Sequence, residues 1–223
     1  MAEFCTVLIP AFNAEATLPP LLQRLKNVPG IRRIIVVDDG SVDNTAVVAA
    51  GHGAHVIRHG ANRGKGAALK TGFAAAMTDQ STLAVLTMDA DLQHDPADVP
   101  KFLDACRPNG ARIIVGRRKK LGSGMPLARI LSNAMTSFLV SVRTGYEMAD
   151  SQCGYRLIHR EVLERVEVES DGFEAETEML IRATRLGFRI AWIPVRTVYG
   201  GESSSMTYWK TTKLFVQTLL REY

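Results

Sequence analysis

The amino-acid sequence predicts an α/β protein with a mostly parallel sheet and helices on both of its faces. In the first half of the chain, five short runs rich in Val and Ile alternate with stretches of helical periodicity. The runs are continuously apolar, which is typical of strands buried on both faces of a parallel sheet. Because ligands of such sheets bind beyond the carboxyl ends of the strands, functional residues are expected there.

The individual elements follow from these patterns. The predicted strands of the first half are residues 6–12, 32–39, 54–59, 82–89 and 111–116. The predicted helices between them are residues 15–27, 43–50, 65–77 and 96–107, with Pro96 in the first turn of the last one and Asp95 as its cap. The second half is predicted to contain a basic loop at 117–126, a helix with an apolar stripe (Leu127, Ile130, Leu131, Ala134, Phe138, Val142), helices near 160–166 and 174–186, a strand at 188–195 and a last helix from about 206.

The bulk composition is that of a globular protein. With 46% hydrophobic and 22% charged residues, intrinsic disorder is excluded, and 223 residues are enough for one sizeable core. The formal charge of +4 favours anionic partners such as nucleotides or acidic lipid, although a solvated basic face gives the same charge. Neither a secretory signal nor an apolar run of roughly 20 residues is visible, so we expect a protein that does not span a membrane.

The sharpest chemical feature is the segment DADLQHDP, residues 89–96. In an extended chain Asp89, Asp91 and Gln93 point the same way, because residues two apart share a face. Carboxylate and amide oxygens suit Mg²⁺ or Mn²⁺, with phosphate oxygens and water completing the octahedron. A solvated acidic turn is the alternative, and the position at the end of an apolar strand favours the metal.

A second acidic strand end is VVDDGSVDNT, residues 36–45. A carboxylate here can accept a hydrogen bond from a nucleotide base or a ribose hydroxyl. Alternatively, Asp39 and Ser41 only make a turn and Asp43 caps the next helix.

The glycine-rich segment NRGKGAALKTG, residues 62–72, does not match a P-loop. Only three residues separate Gly60 from Gly64, and Lys65 is followed by Gly66 where that motif has Ser or Thr. The segment still offers backbone N–H groups and Lys65 at a helix N-terminus, which is a setting for an anion. A glycine-rich turn is the alternative.

A basic cluster follows the fifth predicted strand. It consists of Arg117, Arg118, Lys119, Lys120 and Arg129. Arginine binds phosphate with a planar fork and stays charged, so the cluster suits a second phosphate that belongs to an acceptor. A solvated basic loop explains the same composition.

Taken in order, these motifs resemble those of family 2 glycosyltransferases of the GT-A fold, in the branch of the dolichyl- and polyprenyl-phosphate sugar synthases. The resemblance covers nearly the whole chain and includes PAFNAE (10–15), the three segments described above, GRR (116–118), DSQCGYRLIHREVLE (150–164), GFEAETEML (172–180) and VYGGESS (198–204). It implies a Rossmann-like sheet in a single domain, 1–223. That domain comprises a nucleotide-binding half of about 1–116, an acceptor half of about 117–205 and an amphipathic helix of about 206–222.

The resemblance also implies a role for each site residue. The donor nucleotide-sugar is expected at Pro10, Phe12, Glu15, Asp38, Asp39, Lys65, Asp89 and Ala90. The metal, Mg²⁺ or Mn²⁺, is expected at Asp89, Asp91 and Gln93, and the acceptor phosphate at Arg117, Arg118, Arg129 and Ser132. Asp91, Arg117 and Arg129 form the expected catalytic set. One departure is that Ser203 and Ser204 follow the GGE turn where the family often has a lysine that contacts phosphate.

The activity implied is metal-dependent, inverting transfer of a hexose from UDP-glucose or GDP-mannose to a polyprenyl phosphate. A phosphate acceptor is already anionic and needs no strong base, whereas a hydroxyl acceptor needs one, such as Glu174, Glu176 or Glu178. A transferase acting on a sugar or protein hydroxyl and a non-catalytic nucleotide-sugar binding module are the alternatives. A nucleic-acid partner is not expected.

The predicted last helix bears on the acceptor. Its apolar arc contains Tyr208, Trp209, Thr212, Phe215, Val216, Leu219, Leu220 and Tyr223. Such a face can rest in the lipid headgroup layer or pack against the protein core. The first possibility predicts a cytoplasmic protein that is peripheral on the cytoplasmic membrane face, bound there directly or through a membrane subunit.

Overall fold

A computed structural model of the chain describes residues 5–106, 110–119, 125, 127–197 and 208–221, with the backbone alone for 208–213. The strands are β1 (Cys5–Ala11), β2 (Ile31–Asp38), β3 (His55–Arg58), β4 (Ala84–Thr87), β5 (Ile113–Arg118), β6 (Arg156–His159) and β7 (Ile190–Val195). The helices are α1 (Leu18–Leu25), α2 (Thr45–Gly51), α3 (Lys65–Met77), α4 (Val99–Ala105), α5 (Leu127–Thr144), α6 (Arg160–Arg165), α7 (Ala175–Arg185) and α8 (Tyr208–Leu220), with a 3₁₀ turn at Pro96–Asp98. Asp95 caps this turn by accepting from the N–H of Ala97, as its position predicts.

The strands form one seven-stranded sheet in the order β3-β2-β1-β4-β6-β5-β7. The mostly parallel sheet expected from the sequence is confirmed, since only β6 runs antiparallel to its neighbours β4 and β5. The sequence did not predict β6, because RLIH is short, begins with a charged residue and leads directly into a helix. Since β6 is reversed, its first residues lie at the same edge of the sheet as the last residues of β4 and β5.

Alternate residues of β1 contribute to two cores on opposite faces of the sheet. Val7 and Ile9 lie in the larger core, on the side of the sheet that α1 and α4 cover, and Leu8 lies on the other side beneath α3. This alternation is the period of two expected of a strand. Helices on both faces therefore fix the positions of the strand ends, where the functional groups were predicted.

The apolar stripe predicted on α5 is exposed along most of its length. Between 62% and 75% of the surface of four of its members is accessible: Leu127, Leu131, Phe138 and Val142. Met135, next to the predicted stripe, is 59% exposed. In α8 the predicted arc divides, because Phe215 and Leu219 are buried whereas Val216 and Leu220 are exposed. Tyr208, Trp209, Thr212 and Tyr223 fall outside the side chains that the structure describes. Among the described helices, none has both the length and the hydropathy needed to cross a bilayer.

The close approach of α3 to β1 at Gly72 gives a first testable prediction. A Cβ atom at Gly72 would lie 2.1 Å from Cδ1 of Leu8, which is fully buried, so either the helix or the strand would have to move. We expect Gly72→Ala to lower the free energy of unfolding by about 1–3 kcal/mol. Gly51→Ala, also in a helix but with nothing near its Cβ position, is the matched control and should not destabilise. Urea unfolding measures both, and equal stabilities would contradict the tight packing.

Candidate functional site

The acidic pair predicted to hold a metal follows β4 directly. The backbone N–H of Met88 donates to the carbonyl of Leu8 in β1, so the chain leaves the sheet just before Asp89. A turn then re-aims the chain: Leu92 has a φ of 64°, and the N–H of Gln93 donates to Oδ1 of Asp91 at 3.0 Å. This places the two carboxylates and residue Gln93 at the carboxyl edge of the sheet, as the sequence predicts.

Lys65, the first residue of α3, contacts this acidic pair. Its Nζ lies 2.6 Å from Oδ1 of Asp89 and 2.8 Å from Oε2 of Glu176 at the start of α7. About 15% of the Lys65 side chain is exposed, and 12% of that of Glu176. The ammonium therefore joins the end of β4 to α7 in a largely dehydrated environment.

The two aspartates of the pair differ in their electrostatics. Burial would raise the pKa of Asp89, but the Lys65 ammonium and other nearby cations outweigh it and lower this pKa to about 2. Burial raises the pKa of Asp91, and the neighbouring Asp89 charge raises it further. Of the two carboxylates, Asp91 is therefore the one whose charge the protein neutralises less, which suits a ligand of a cation.

His94 packs against the backbone of the acidic turn. Its ring is buried and stacks on Tyr155 with a centroid distance of 4.9 Å, and its Nδ1 accepts from the N–H of Asp89 at 3.3 Å. Burial lowers the pKa of His94 despite the opposing charges of Asp89 and Asp91. The imidazole thus positions the backbone of the acidic turn.

The start of β6 forms the floor beneath Asp89 and Lys65. A Cβ atom at Gly154 would lie 2.7 Å from Oδ2 of Asp89 and 2.9 Å from Nζ of Lys65, so only glycine fits there. Arg156 is buried and donates to the carbonyls of Ser151 and Cys153, which fixes the preceding loop. Its Nε also lies 3.8 Å from Oε1 of Glu176, a buried atom that has no hydrogen-bond partner.

The carboxylate of Asp39 is bound by the protein itself. It accepts from the N–H groups of Arg63 and Gly64 at 3.0 and 2.8 Å and from Nδ1 of His59 at 2.6 Å. The anion at the N-terminus of α3 is therefore an internal aspartate, and the N–H of Ala67 is likewise used by the carbonyl of Asp171. The glycine-rich segment forms a turn that positions Lys65, and its backbone does not offer these groups to a phosphate.

Asp38 is also occupied. Its Oδ1 accepts from the N–H of Ser41 at 2.9 Å, and its Oδ2 forms an ion pair with Nε of Arg58 at 3.2 Å, without hydrogen-bond geometry. The alternative in which this segment makes a turn is thus the one that its hydrogen bonds support. Asp43 accepts from the N–H of Thr45, the first residue of α2, but the N-cap position predicted for Asp43 is taken by Asn44, which makes no side-chain cap hydrogen bond.

The turns after β1 and β2 are tied together and leave two apolar side chains exposed. The N–H of Asn13 donates to Oγ of Ser41, and Oε2 of Glu15 accepts from the N–H of Asn44. Phe12 is 47% exposed and Val42 is 90% exposed. Of the other residues expected at the donor, Pro10 is half-buried in β1, and Ala90 is buried between the two aspartates.

The residues expected at the acceptor phosphate are in different states. Arg118 is already engaged: its Nε and one terminal nitrogen each lie 2.8 Å from the carboxylate of Asp150, which is buried. This bidentate pair orients the Arg118 guanidinium, and the phosphate contact predicted for Arg118 stays a prediction. Arg117 and Ser132 are exposed and Arg129 is half-buried, so these three remain accessible. Lys120 and the segment VYGGESS lie outside the described residues.

The site fits a divalent cation that completes its shell with a ligand. Asp89 and Asp91 are hard ligands close enough for their charges to interact, and the protein leaves Asp91 incompletely neutralised. Within the part of the chain that the structure describes, no group of three or more His, Cys, Asp or Glu residues forms a closed cage. An open site of two carboxylates is the arrangement that Mg²⁺ or Mn²⁺ adopts together with phosphates and water.

Sequence reasoning missed Asp150, Gly154 and Arg156, and it named Glu176 only as one of three possible bases. The first three lie at the start of the unpredicted strand β6, so their proximity to Asp89 depends on its direction. Glu176 could not be told from Glu174 and Glu178 by spacing. An arginine within an otherwise apolar segment was the one signal available for Arg156.

Comparison with known proteins agrees with this arrangement. A family model described as Glycosyl transferase family 2 matches residues 6–167. A UDP-N-acetylglucosamine–dolichyl-phosphate N-acetylglucosaminyltransferase of Methanococcus voltae is 30% identical, over 86% of this chain and 85% of its own length. An undecaprenyl-phosphate mannosyltransferase of Micrococcus luteus is also 30% identical, over 86% of this chain and 82% of its own.

A solved structure resembles the whole fold. It is glucosyl-3-phosphoglycerate synthase of Mycobacterium tuberculosis in complex with Mn²⁺, UDP-glucose and phosphoglyceric acid, with a TM-score of 0.79 and 24% identity. The alignment covers 98% of this chain and 79% of that one. At this identity the likeness establishes the fold, and it confirms the GT-A architecture expected from the sequence.

The buried carboxylate of Asp39 gives a prediction about the base of α3. Asp39→Asn keeps the size of the side chain but loses the charge that accepts from three donors, so we expect a loss of about 1–3 kcal/mol in the free energy of unfolding. The amides of Arg63 and Gly64 should exchange with deuterium roughly tenfold faster or more. Asp79→Asn, in an exposed turn, is the control and should leave those two exchange rates unchanged. Wild-type rates in Asp39→Asn would show that the carboxylate does not hold this loop.

Proposed function

The chain belongs to glycosyl transferase family 2, and from this premise we propose that it transfers a hexose from a nucleotide-sugar to a polyprenyl phosphate with inversion. The observation that carries the proposal is the acidic pair Asp89 and Asp91 at the carboxyl edge of a GT-A sheet, with Lys65 beside it. UDP-glucose and GDP-mannose are the proposed donors. The enzyme class itself follows from the family.

The donor side of the site is proposed to bind the diphosphate between the acidic pair and Lys65. A divalent ion at Asp89, Asp91 and Gln93 would supply neutralisation of charge on the leaving diphosphate. The exposed Phe12 offers an apolar surface to the base, next to the paired turns that hold Glu15. Because Asp38 and Asp39 are occupied by protein donors, they are proposed to hold the loops of the donor site in place and not to contact the donor directly.

The acceptor side is proposed to use the accessible basic residues Arg117 and Arg129 together with Ser132. A lipid phosphate is anionic at neutral pH and can attack the anomeric carbon without a general base, so these residues need only hold it in line. Arg118 contributes differently, because its pair with Asp150 fixes the end of β5, and its charge still acts on Asp89. The relatives named for dolichyl and undecaprenyl phosphate support an acceptor of this kind.

The exposed apolar face of α5 supports a lipid acceptor independently. We propose that this face, defined by Leu127, Leu131, Met135, Phe138 and Val142, rests on an anionic bilayer surface. The charge of the surrounding sequence is complementary to such a surface, since residues 105–146 contain eight Lys and Arg and no Asp or Glu. In α8, the exposed Val216 and Leu220 extend the proposed contact, while Phe215 and Leu219 pack inward. The protein is thereby proposed to be peripheral on the cytoplasmic face of the membrane.

One observation favours a hydroxyl acceptor as the second candidate. Of the three glutamates considered as bases, Glu178 is occupied by Arg182 and two backbone N–H groups, and one oxygen of Glu174 accepts from Gly172. Glu176 alone faces the Lys65–Asp89 pair, which is where a base would be needed. A transferase that acts on a sugar hydroxyl would use the same donor site with Glu176 as its base.

The test is sugar transfer to a short polyprenyl phosphate with Mg²⁺ or Mn²⁺. UDP-glucose, GDP-mannose and UDP-N-acetylglucosamine serve as donors, and lipid-linked sugar is measured by chromatography. We expect metal-dependent product from one donor and a loss of about 10²–10³ in rate for Asp91→Asn, because the ion that stabilises the leaving group is lost. Glu164→Gln, on the exposed side of α6, is the control and should keep full activity. Donor hydrolysis or transfer to a sugar hydroxyl, without lipid product, would overturn the lipid acceptor.

The membrane contact is tested separately with vesicles. Replacing both Leu131 and Phe138 by Ser removes two large side chains from the exposed face of α5, so we expect roughly tenfold weaker sedimentation with anionic vesicles. Val47→Ser, an equally exposed site on α2 near the opposite edge of the sheet, is the control and should bind as wild type. Normal vesicle binding by the double variant would show that α5 does not contact the bilayer. The same conclusion would follow if the two substitutions weakened self-association of the protein and left vesicle binding unchanged.

A further inference from the structure

We propose that Lys65 is an internal counter-ion that competes with the metal ion for Asp89, and that Glu176 is a positioning residue that weakens this competition by sharing the Lys65 ammonium. The inference rests on the proposed function for the existence of the metal site. It adds that Lys65 and Glu176 set the affinity of the site for a divalent ion before the nucleotide-sugar binds. The residues involved are Lys65, Asp89 and Glu176, with Gly154 and Phe173 beside them.

The Lys65 ammonium occupies one of the two oxygens of Asp89. Oδ1 is 2.6 Å from the Lys65 ammonium. Oδ2 faces the backbone at Gly154, where even a methyl group would lie only 2.7 Å away. A cation that binds Oδ1 must therefore displace the ammonium, and one that binds Oδ2 lies close to the charge of the ammonium.

The ammonium cannot leave by a movement of the helix. Lys65 follows directly after Gly64, whose N–H is fixed to the buried Asp39, so the backbone at the start of α3 is held. The flexible four-carbon side chain is what can move. If the ammonium leaves Asp89, it can stay bound to Glu176, whose Oε2 already lies 2.8 Å from Nζ. The ring of Phe173, with its centroid 6.0 Å from Nζ, also lies beside it.

The charge of Glu176 decides how strongly Lys65 opposes a metal. With two carboxylates around one ammonium, Asp89 shares its counter-charge, and the three side chains together keep one net negative charge. Oε1 of Glu176 lies 3.8 Å from Nε of Arg156 and has no hydrogen-bond partner among the described residues, so its charge is incompletely neutralised. Without the Glu176 charge, the ammonium of Lys65 would pair with Asp89 alone. It would then stay close to the metal site and repel a divalent ion there.

The experiment measures Mn²⁺ affinity in the absence of any nucleotide, from the electron paramagnetic resonance signal of free Mn²⁺. We expect Lys65→Met to bind Mn²⁺ roughly tenfold more tightly than wild type, because the competing cation is gone. Lys70→Met, which removes an ammonium on the same helix that pairs with Asp171, is the control and should not change the affinity. Tighter binding is a result that simple damage to the fold cannot produce. Unchanged or weaker binding by Lys65→Met overturns the proposal.

Glu176→Gln tests the positioning role. We expect roughly tenfold weaker Mn²⁺ binding in the wild-type background and a clearly smaller loss in the Lys65→Met background, because Glu176 acts through Lys65. Equal losses in both backgrounds would mean that Glu176 acts on the ion directly, and would overturn its assigned role. Lys65→Gln replaces Lys65→Met should that variant not fold, as judged by circular dichroism.

The outcome is separable from that of the proposed function. If wild type transfers sugar while Lys65→Met leaves Mn²⁺ affinity unchanged, the counter-ion idea fails and the function stands. If neither wild type nor Lys65→Met binds Mn²⁺ without nucleotide, the counter-ion proposal fails, and the transfer assay alone decides the proposed function.

Discussion

The ion pair of Lys65 with Asp89 and Glu176 joins the three parts of the fold on which the site depends. A cation at the first residue of a helix is unfavourable for the helix itself, because the positive end of the helix dipole lies there. The position of Lys65 therefore has to be explained by what it contacts. The buried Asp39 carboxylate compensates by accepting from the N–H groups of Arg63 and Gly64 just before it. Anion and cation thus alternate along the start of α3, and each is satisfied within the protein.

The reversal of β6 is the topological condition for this arrangement. If β6 ran parallel to β4 and β5, the segment before it would lie at the opposite edge of the sheet, away from Asp89. Running antiparallel, it brings Asp150, Gly154 and Arg156 between the ends of the two strands that carry Asp89 and Arg118. Asp150 then binds Arg118, and Gly154 leaves the space that the Lys65–Asp89 pair fills. One strand of four residues thereby connects the proposed donor side of the site to the proposed acceptor side.

The sequence predicts the framework of this molecule better than its contacts. Strand and helix positions follow from apolar runs and helical periodicity, and the acidic pair follows from its place at a strand end. Periodicity could not show that Lys65 faces Asp89, because that contact joins residues from separate elements and depends on the register of α3 against the sheet. The same reason explains why the sequence does not show the pair of Arg118 with the buried Asp150. Which charged residues pair across a long sequence separation depends on the topology of the fold. A single sequence carries little information about that topology.

Charge is distributed unevenly along this chain, and the net value of +4 hides it. The segment 105–146 holds eight of the 27 Lys and Arg and none of the 23 Asp and Glu, so the rest of the chain is net negative. The negative part contains the acidic pair and its partners, and the positive part contains the end of β5 and all of α5 with its exposed apolar face. An anionic surface attracts the second part and repels the first, so electrostatics alone favours one orientation of the molecule. In the proposed membrane contact α5 faces the surface, and the positively charged part of the chain lies nearest to it.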